Sequence, residues 1–195
     1  AKTAACVEAA ASTPYASHAW SPYFVLGQTT AAWEVWEQLG RRAPDAVVCA
    51  VGHGGLFLGF AHGFRALLDA GLIDRMPRLI AVQSAGCDPV VRAWENGASS
   101  TPEVIPTHTV ADGIIVEKPV RGQAVMAAIY DTDGLALRVD NAAIMAAQSE
   151  LARRGLIAEP TSATIAAAMP QIRQQLGTDA LIVGSLSGSG LKNVA

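Results

Sequence analysis

Between two apolar runs the chain reads Val47-Val48-Cys49-Ala50-Val51-Gly52-His53-Gly54-Gly55-Leu56-Phe57-Leu58-Gly59-Phe60. Three glycines within four positions leave a backbone bare of Cβ atoms, so that consecutive N–H groups can converge on an oxyanion. A helix opening near Leu56 would add the positive end of its dipole, worth about 0.3–1 kcal/mol and up to about 2 when partly buried. The amides count for more, because each makes a charge-assisted hydrogen bond. The chemistry on offer is the grip of a phosphate. A tight strand-to-helix turn with no ligand is the alternative that this loop leaves open.

The better-known phosphate loops do not fit. A dinucleotide fingerprint needs a third glycine where Phe57 stands, and an acid further on, where the chain has Gln83-Ser84. A nucleoside-triphosphate loop needs Lys followed by Ser or Thr, and none follows Gly55. The serines of Gly184-Ser185-Leu186-Ser187-Gly188 are misplaced for a nucleophile elbow. What survives is a cofactor carrying one phosphate, such as pyridoxal phosphate or flavin mononucleotide. Gly55, Gly59 and Gly63 recur every four residues; for the last two, close helix packing is the better account.

The elements that must position this loop follow from periodicity and punctuation. Helices are expected over Gly27–Leu39, Leu56–Ala70, Pro89–Trp94 and Val120–Tyr130. Another should run from a cap at Asp140 to Arg153 and Arg154, with Ile144, Ala147 and Leu151 facing inward. A last helix should open at Pro160 and end at Gly177, kinked or split by Pro170. Buried strands are expected at Asp45–Val51, Arg78–Gln83, Leu135–Val139 and Ala180–Val183, with Leu156–Ala158 a strand or extended link. Ser99–Pro106 is a loop. Apolar strands alternating with helices make an α/β fold with a parallel sheet covered on both faces. Ligands in such folds bind beyond the carboxyl ends of the strands. Gly52–Gly55 and the serine-glycine loop Ser185–Gly190 both belong at that edge.

Composition narrows the class. With 195 residues, 51% hydrophobic and 16% charged, the chain can build a substantial core. A net charge of −3 with scattered Lys and Arg argues against nucleic acid. Ala46 to Phe64 carries no charge and could span a membrane by length alone, but its glycines would weaken such a helix at its middle. Cys6, Cys49 and Cys87 share no short spacing, and read as reduced thiols in the cytoplasm. The four histidines lack metal-ligand spacing.

The order and spacing of several blocks resemble threonine synthase and its relatives in the tryptophan synthase β (fold type II) class of pyridoxal-phosphate enzymes. SPYFVLGQTTAAWEVWEQLG, the glycine loop with the strand and helices after it, TVADGIIVEKPVR, LIAEPTSATI and VGSLSGSGLKN each look like a block of that family. The resemblance implies the three-layer large domain of fold type II enzymes. It implies pyridoxal 5′-phosphate as cofactor, its phosphate cradled by the backbone of Gly52, His53, Gly54, Gly55 and Leu56. It places the Ser187 hydroxyl against the pyridine nitrogen, where threonine synthases usually have Thr, and Glu159 near the cofactor ring. Glu159 could equally cap the helix that opens at Pro160.

Family members hold the cofactor through a lysine in a block like SFKDRG, followed by a smaller domain. Lys2, Lys118 and Lys192 are the only lysines here and none lies in such a block. No catalytic residue is therefore assigned. Residues 1–195 are expected to be one domain, an incomplete, carboxyl-terminal part of the large domain, with residues 1–25 the link from a missing small domain; alone it should be inactive. The implied reaction turns O-phosphohomoserine into threonine and phosphate. A serine/threonine dehydratase, or a phosphate-binding module without catalysis, are the rivals. The expected partners are an amino-acid substrate and either a second copy in a homodimer or a complementing amino-terminal segment, with neither nucleic acid nor membrane.

Overall fold

The computed structural model describes Ser12 and residues 17–193. Residues 1–11 and 13–16, the larger part of the expected link, lie outside the described residues. The first helices are α1 (Pro22–Gln28) and α2 (Thr30–Gln38). A single helix from Gly27 is thus corrected to two. Pro22 opens α1 behind Ser21, as its fixed φ favours. The chain then breaks at Thr29, whose hydroxyl donates back to the Leu26 carbonyl at 2.6 Å.

Strand β1 (Ala46–Ala50) leads through the glycine loop into α3 (Gly55–Asp69), then β2 (Arg78–Ser84) and α4 (Pro89–Glu95). A long irregular stretch contains one 3₁₀ turn, Asp112–Ile114. There follow α5 (Gly122–Asp131), β3 (Leu135–Val139), α6 (Asn141–Arg153), α7 (Pro160–Leu176) and β4 (Ile182–Gly184). The Asp140 carboxylate caps α6 by accepting from Ala143 N–H at 2.8 Å. Helix α7 is not split at Pro170. The proline sits on the exposed side, while Ile165, Ala168 and Ile172 are buried on the sheet. That packing offsets a proline cost of about 3 kcal/mol.

The sheet is wholly parallel in the order β3-β2-β1-β4. Alternate residues of its central strands feed two cores. Val47, Cys49, Leu79 and Ala81 pack with Phe57, Phe60, Phe64, Val125, Met126 and Ile129 on one face. Ala46, Val48, Ile80 and Val82 pack with Ile144, Ala163, Ile165, Ala168 and Ile172 on the other. The three-layer α/β architecture expected from the sequence is present.

Strand order places the switch point. From β1 the chain moves outward through β2 to β3, then returns to lay β4 on the opposite side of β1. The crevice of a doubly wound sheet opens where the order reverses, here between the carboxyl ends of β1 and β4. The glycines at 59 and 63 bring α3 against the first two helices. A Cβ at Gly63 would lie 2.5 Å from the Thr29 carbonyl oxygen, and one at Gly59 would lie 2.9 Å from that of Gln28.

Candidate functional site

Both glycine loops leave the sheet at that crevice. Ser185 N–H donates to the Val48 carbonyl at 3.2 Å, fastening the start of the second loop beside β1. In the first loop, Gly54 has φ +89°, a left-handed conformation that side chains resist. A Cβ there would also strike Val125. The turn it makes leaves the first amides of α3 unused, since the first bond of the helix runs from Leu58 N–H to the Gly54 carbonyl. Among the described residues no protein group accepts from the amides of Gly52, His53, Gly54 or Gly55. Unpaired donors collected at a helix amino terminus are the requirement for holding a dianion.

Neighbouring elements hold the loop from three sides. Gly52 backs onto the segment after the 3₁₀ turn, where a Cβ would lie 3.2 Å from Val116 Cγ2. His53 Nδ1 accepts from Val120 N–H at 3.4 Å, which requires a neutral ring nitrogen. Burial, and then the nearby His18 and Arg121, hold the His53 imidazole below its ordinary pKa. The side-chain amide of Gln83, fully buried at the end of β2, donates to the Val51 carbonyl at 2.9 Å and accepts from Val90 N–H at 2.8 Å. It ties the last residue before the loop to the start of α4. Sequence reasoning noticed Gln83 only as a missing acid. The usable signal was a polar side chain ending an apolar strand, which must find partners when buried.

The second loop brings Glu159 and the 185–189 segment together. Glu159 N–H donates to the Gly188 carbonyl at 3.0 Å, and the Ser162 hydroxyl accepts from Gly188 N–H at 2.8 Å. The buried Glu159 side chain makes no capping hydrogen bond to α7. Its carboxylate end lies instead where a Cβ on residue 188 would be, so a side chain there would require Glu159 to move. Ser187 is exposed and lines a hollow of about 310 Å³ with Leu156, Ile157 and Leu186. A larger hollow, about 640 Å³, is elsewhere: Arg41, Arg42, Asp45, Asp74 and Arg75 line it at the amino-terminal ends of β1 and β4. Its charges have a structural task. Arg75 pairs with Asp45 at 2.6 Å, holding that carboxyl below its ordinary pKa, and Asp45 also accepts from Leu181 N–H at 2.7 Å.

The loop thus fits a phosphate group. A second requirement of the expected cofactor, a lysine amine, finds no support among the described side chains. Lys118 is well exposed and 3.6 Å from Glu103; Lys2 and the Lys192 side chain lie outside the described residues. Cys49 is no nucleophile, its thiol being pushed up to about 12 by burial. No described helix is long and apolar enough to cross a membrane.

A parallel sheet with a glycine loop of unpaired amides at its switch point defines an α/β protein with donors placed for an anion. Over residues 1–188 the sequence matches the family described as pyridoxal-phosphate dependent enzyme, and the chain belongs to that family. It is 34% identical over 177 residues to a threonine synthase of Methanosarcina acetivorans, covering 89% of this chain and 44% of that one. To a threonine synthase of Methanocaldococcus jannaschii it is 32% identical over 179 residues, with the same coverage of 89% and 44%. Among solved structures, a T.th. threonine deaminase superposes with a TM-score of 0.67 at 27% identity, over 87% of this chain and 59% of that one. The chain spans about half the length of these relatives.

Proposed function

We propose that this chain is the cofactor-phosphate-holding part of a threonine-synthase-like lyase, a protein whose whole form converts O-phosphohomoserine to threonine and phosphate. The observation that carries this reading is the set of unpaired amides from Gly52 to Gly55 where the sheet order reverses. The backbone of Gly52, His53, Gly54, Gly55 and Leu56 would grip the phosphate, neutralising it by hydrogen bonds and by the α3 dipole. Ser187 would present its hydroxyl to the pyridine nitrogen; a neutral partner, unlike a carboxylate, does not oblige that nitrogen to stay protonated. Glu159, packed under Gly188, would support the same loop from below. Pyridoxal phosphate, when bound, supplies an electron sink. The chain by itself is expected not to turn over substrate, and to act with a further segment that brings the lysine, as a homodimer or a complemented pair in the cytoplasm.

A dehydratase of serine or threonine is the second reading, favoured by the likeness to a threonine deaminase structure. One experiment separates them. The whole protein, supplied with pyridoxal phosphate, is offered O-phosphohomoserine and, separately, threonine and serine. Threonine with released phosphate supports the first reading, and ammonia with a 2-oxo acid the second. Reversible cofactor binding without either product, and with no borohydride-fixed adduct, would leave a binding module.

A further inference from the structure

Arg121 lies along the flank of the glycine loop. Its Cβ is 3.9 Å from the place a Cβ on Gly54 would occupy. Its Nη2 donates to the Ser21 carbonyl at 2.9 Å, at the amino end of α1. Phe24 of that helix covers Gly55, 3.5 Å from the place of its Cβ. The Arg121 side chain therefore starts beside Gly54 and ends at the helix packed over the loop. Nε is sealed from solvent with no acceptor. Nη1 makes no hydrogen bond and is not sealed. Among the described residues no carboxylate pairs with Arg121.

A half-buried guanidinium without a counter-ion is costly, because it has lost part of its hydration and gained no opposite charge. Its charge is felt at the loop, where it helps hold the His53 imidazole below its ordinary pKa, and the amides of Gly52 to Gly55 lack acceptors among the described residues. The loop dipoles and the Arg121 charge have the same sign, and among the described residues no ion pair balances that charge. A dianion in the loop would. We propose that Arg121 is the fixed counter-charge of the phosphate site, offsetting a phosphate monoester held by the loop amides. The division of labour is physical: amides set the position of the oxygens, while the guanidinium supplies net charge. This rests on the phosphate reading of the loop.

The test compares inorganic phosphate and pyridoxal phosphate binding by the unsubstituted protein, Arg121→Gln and Arg121→Lys. Arg121→Gln is expected to bind both about tenfold more weakly, with a shallower dependence on salt, and Arg121→Lys to stay within about threefold. A second measurement needs no variant. Phenylglyoxal labelling read by mass spectrometry should be blocked at Arg121 by saturating phosphate and remain unblocked at the exposed Arg41. Equal phosphate affinity in Arg121→Gln, or Arg121 labelling unchanged by phosphate, overturns the assignment and leaves the loop reading standing. No phosphate binding by the unsubstituted protein overturns both.

Discussion

Gln83 and Val51 are joined across the carboxyl edge of the sheet: the Gln83 side-chain N–H donates to the Val51 carbonyl at 2.9 Å, one residue before the glycine loop begins. The same side chain accepts from the Val90 and Val91 amides at 2.8 and 3.3 Å. Gln83→Leu would leave all three backbone groups buried without a partner. It should lower unfolding free energy by about 1–3 kcal/mol, and more if the losses add. Urea denaturation checks the stability, and phosphate affinity should fall with it because the loop loses its anchor.

Gly54 is predicted to tolerate no side chain. Gly54→Ala combines a left-handed cost of about 1–2 kcal/mol with overlap on Val125. Gly71 gives the control: its φ is +69° but open space surrounds it. Gly71→Ala should destabilise through backbone strain alone and leave phosphate binding unchanged, whereas Gly54→Ala should abolish binding. Calorimetric titration of both variants decides.

The loop histidine makes stability depend on pH with a definite sign. The folded state holds His53 below its ordinary pKa of 6.5, first through burial, then through His18 and Arg121. The unfolded chain therefore takes up a proton more readily than the folded one. The contribution is complete above the ordinary value and is lost as pH falls towards the depressed value. Denaturation series between neutral and mildly acid pH should show a decline that is shallower in His53→Ala.

Helix packing through Gly63 supports the site from a distance. Gly63→Ala would push a methyl into the Thr29 carbonyl and the Ala32 side chain, 2.5 and 2.6 Å away. Overpacking of this kind costs about 1–3 kcal/mol. Thermal unfolding should show the loss. Because α1 carries Phe24 onto Gly55, phosphate affinity should also drop.

Periodicity and punctuation made most of this architecture legible. Leu135–Val139 coincides with β3, and Asp140 is the cap of α6. The glycine turn from a buried strand into a helix was readable from its punctuation, Gly52 to Gly55 standing between β1 and α3, while the loop alone left its use open between a phosphate cradle and a plain turn. The break at Thr29 was not readable, since it depends on one hydroxyl turning back on Leu26. Nor was the unbroken α7, where tertiary burial of Ile165, Ala168 and Ile172 outweighs the local penalty of Pro170. Gln83 and Arg121 escaped for a different reason. Each touches the loop across many positions of sequence, Arg121 reaching back to Ser21 and Gln83 to Val51, and no local pattern encodes such a contact.

Amide chemical shifts during phosphate titration test the central claim most directly. The account predicts that Gly52, His53, Gly54, Gly55 and Leu56 move together and saturate at one affinity, with the hollow around Arg41, Arg42 and Arg75 unmoved. Shifts confined to those arginines, or none at the loop at saturating pyridoxal phosphate, would contradict it.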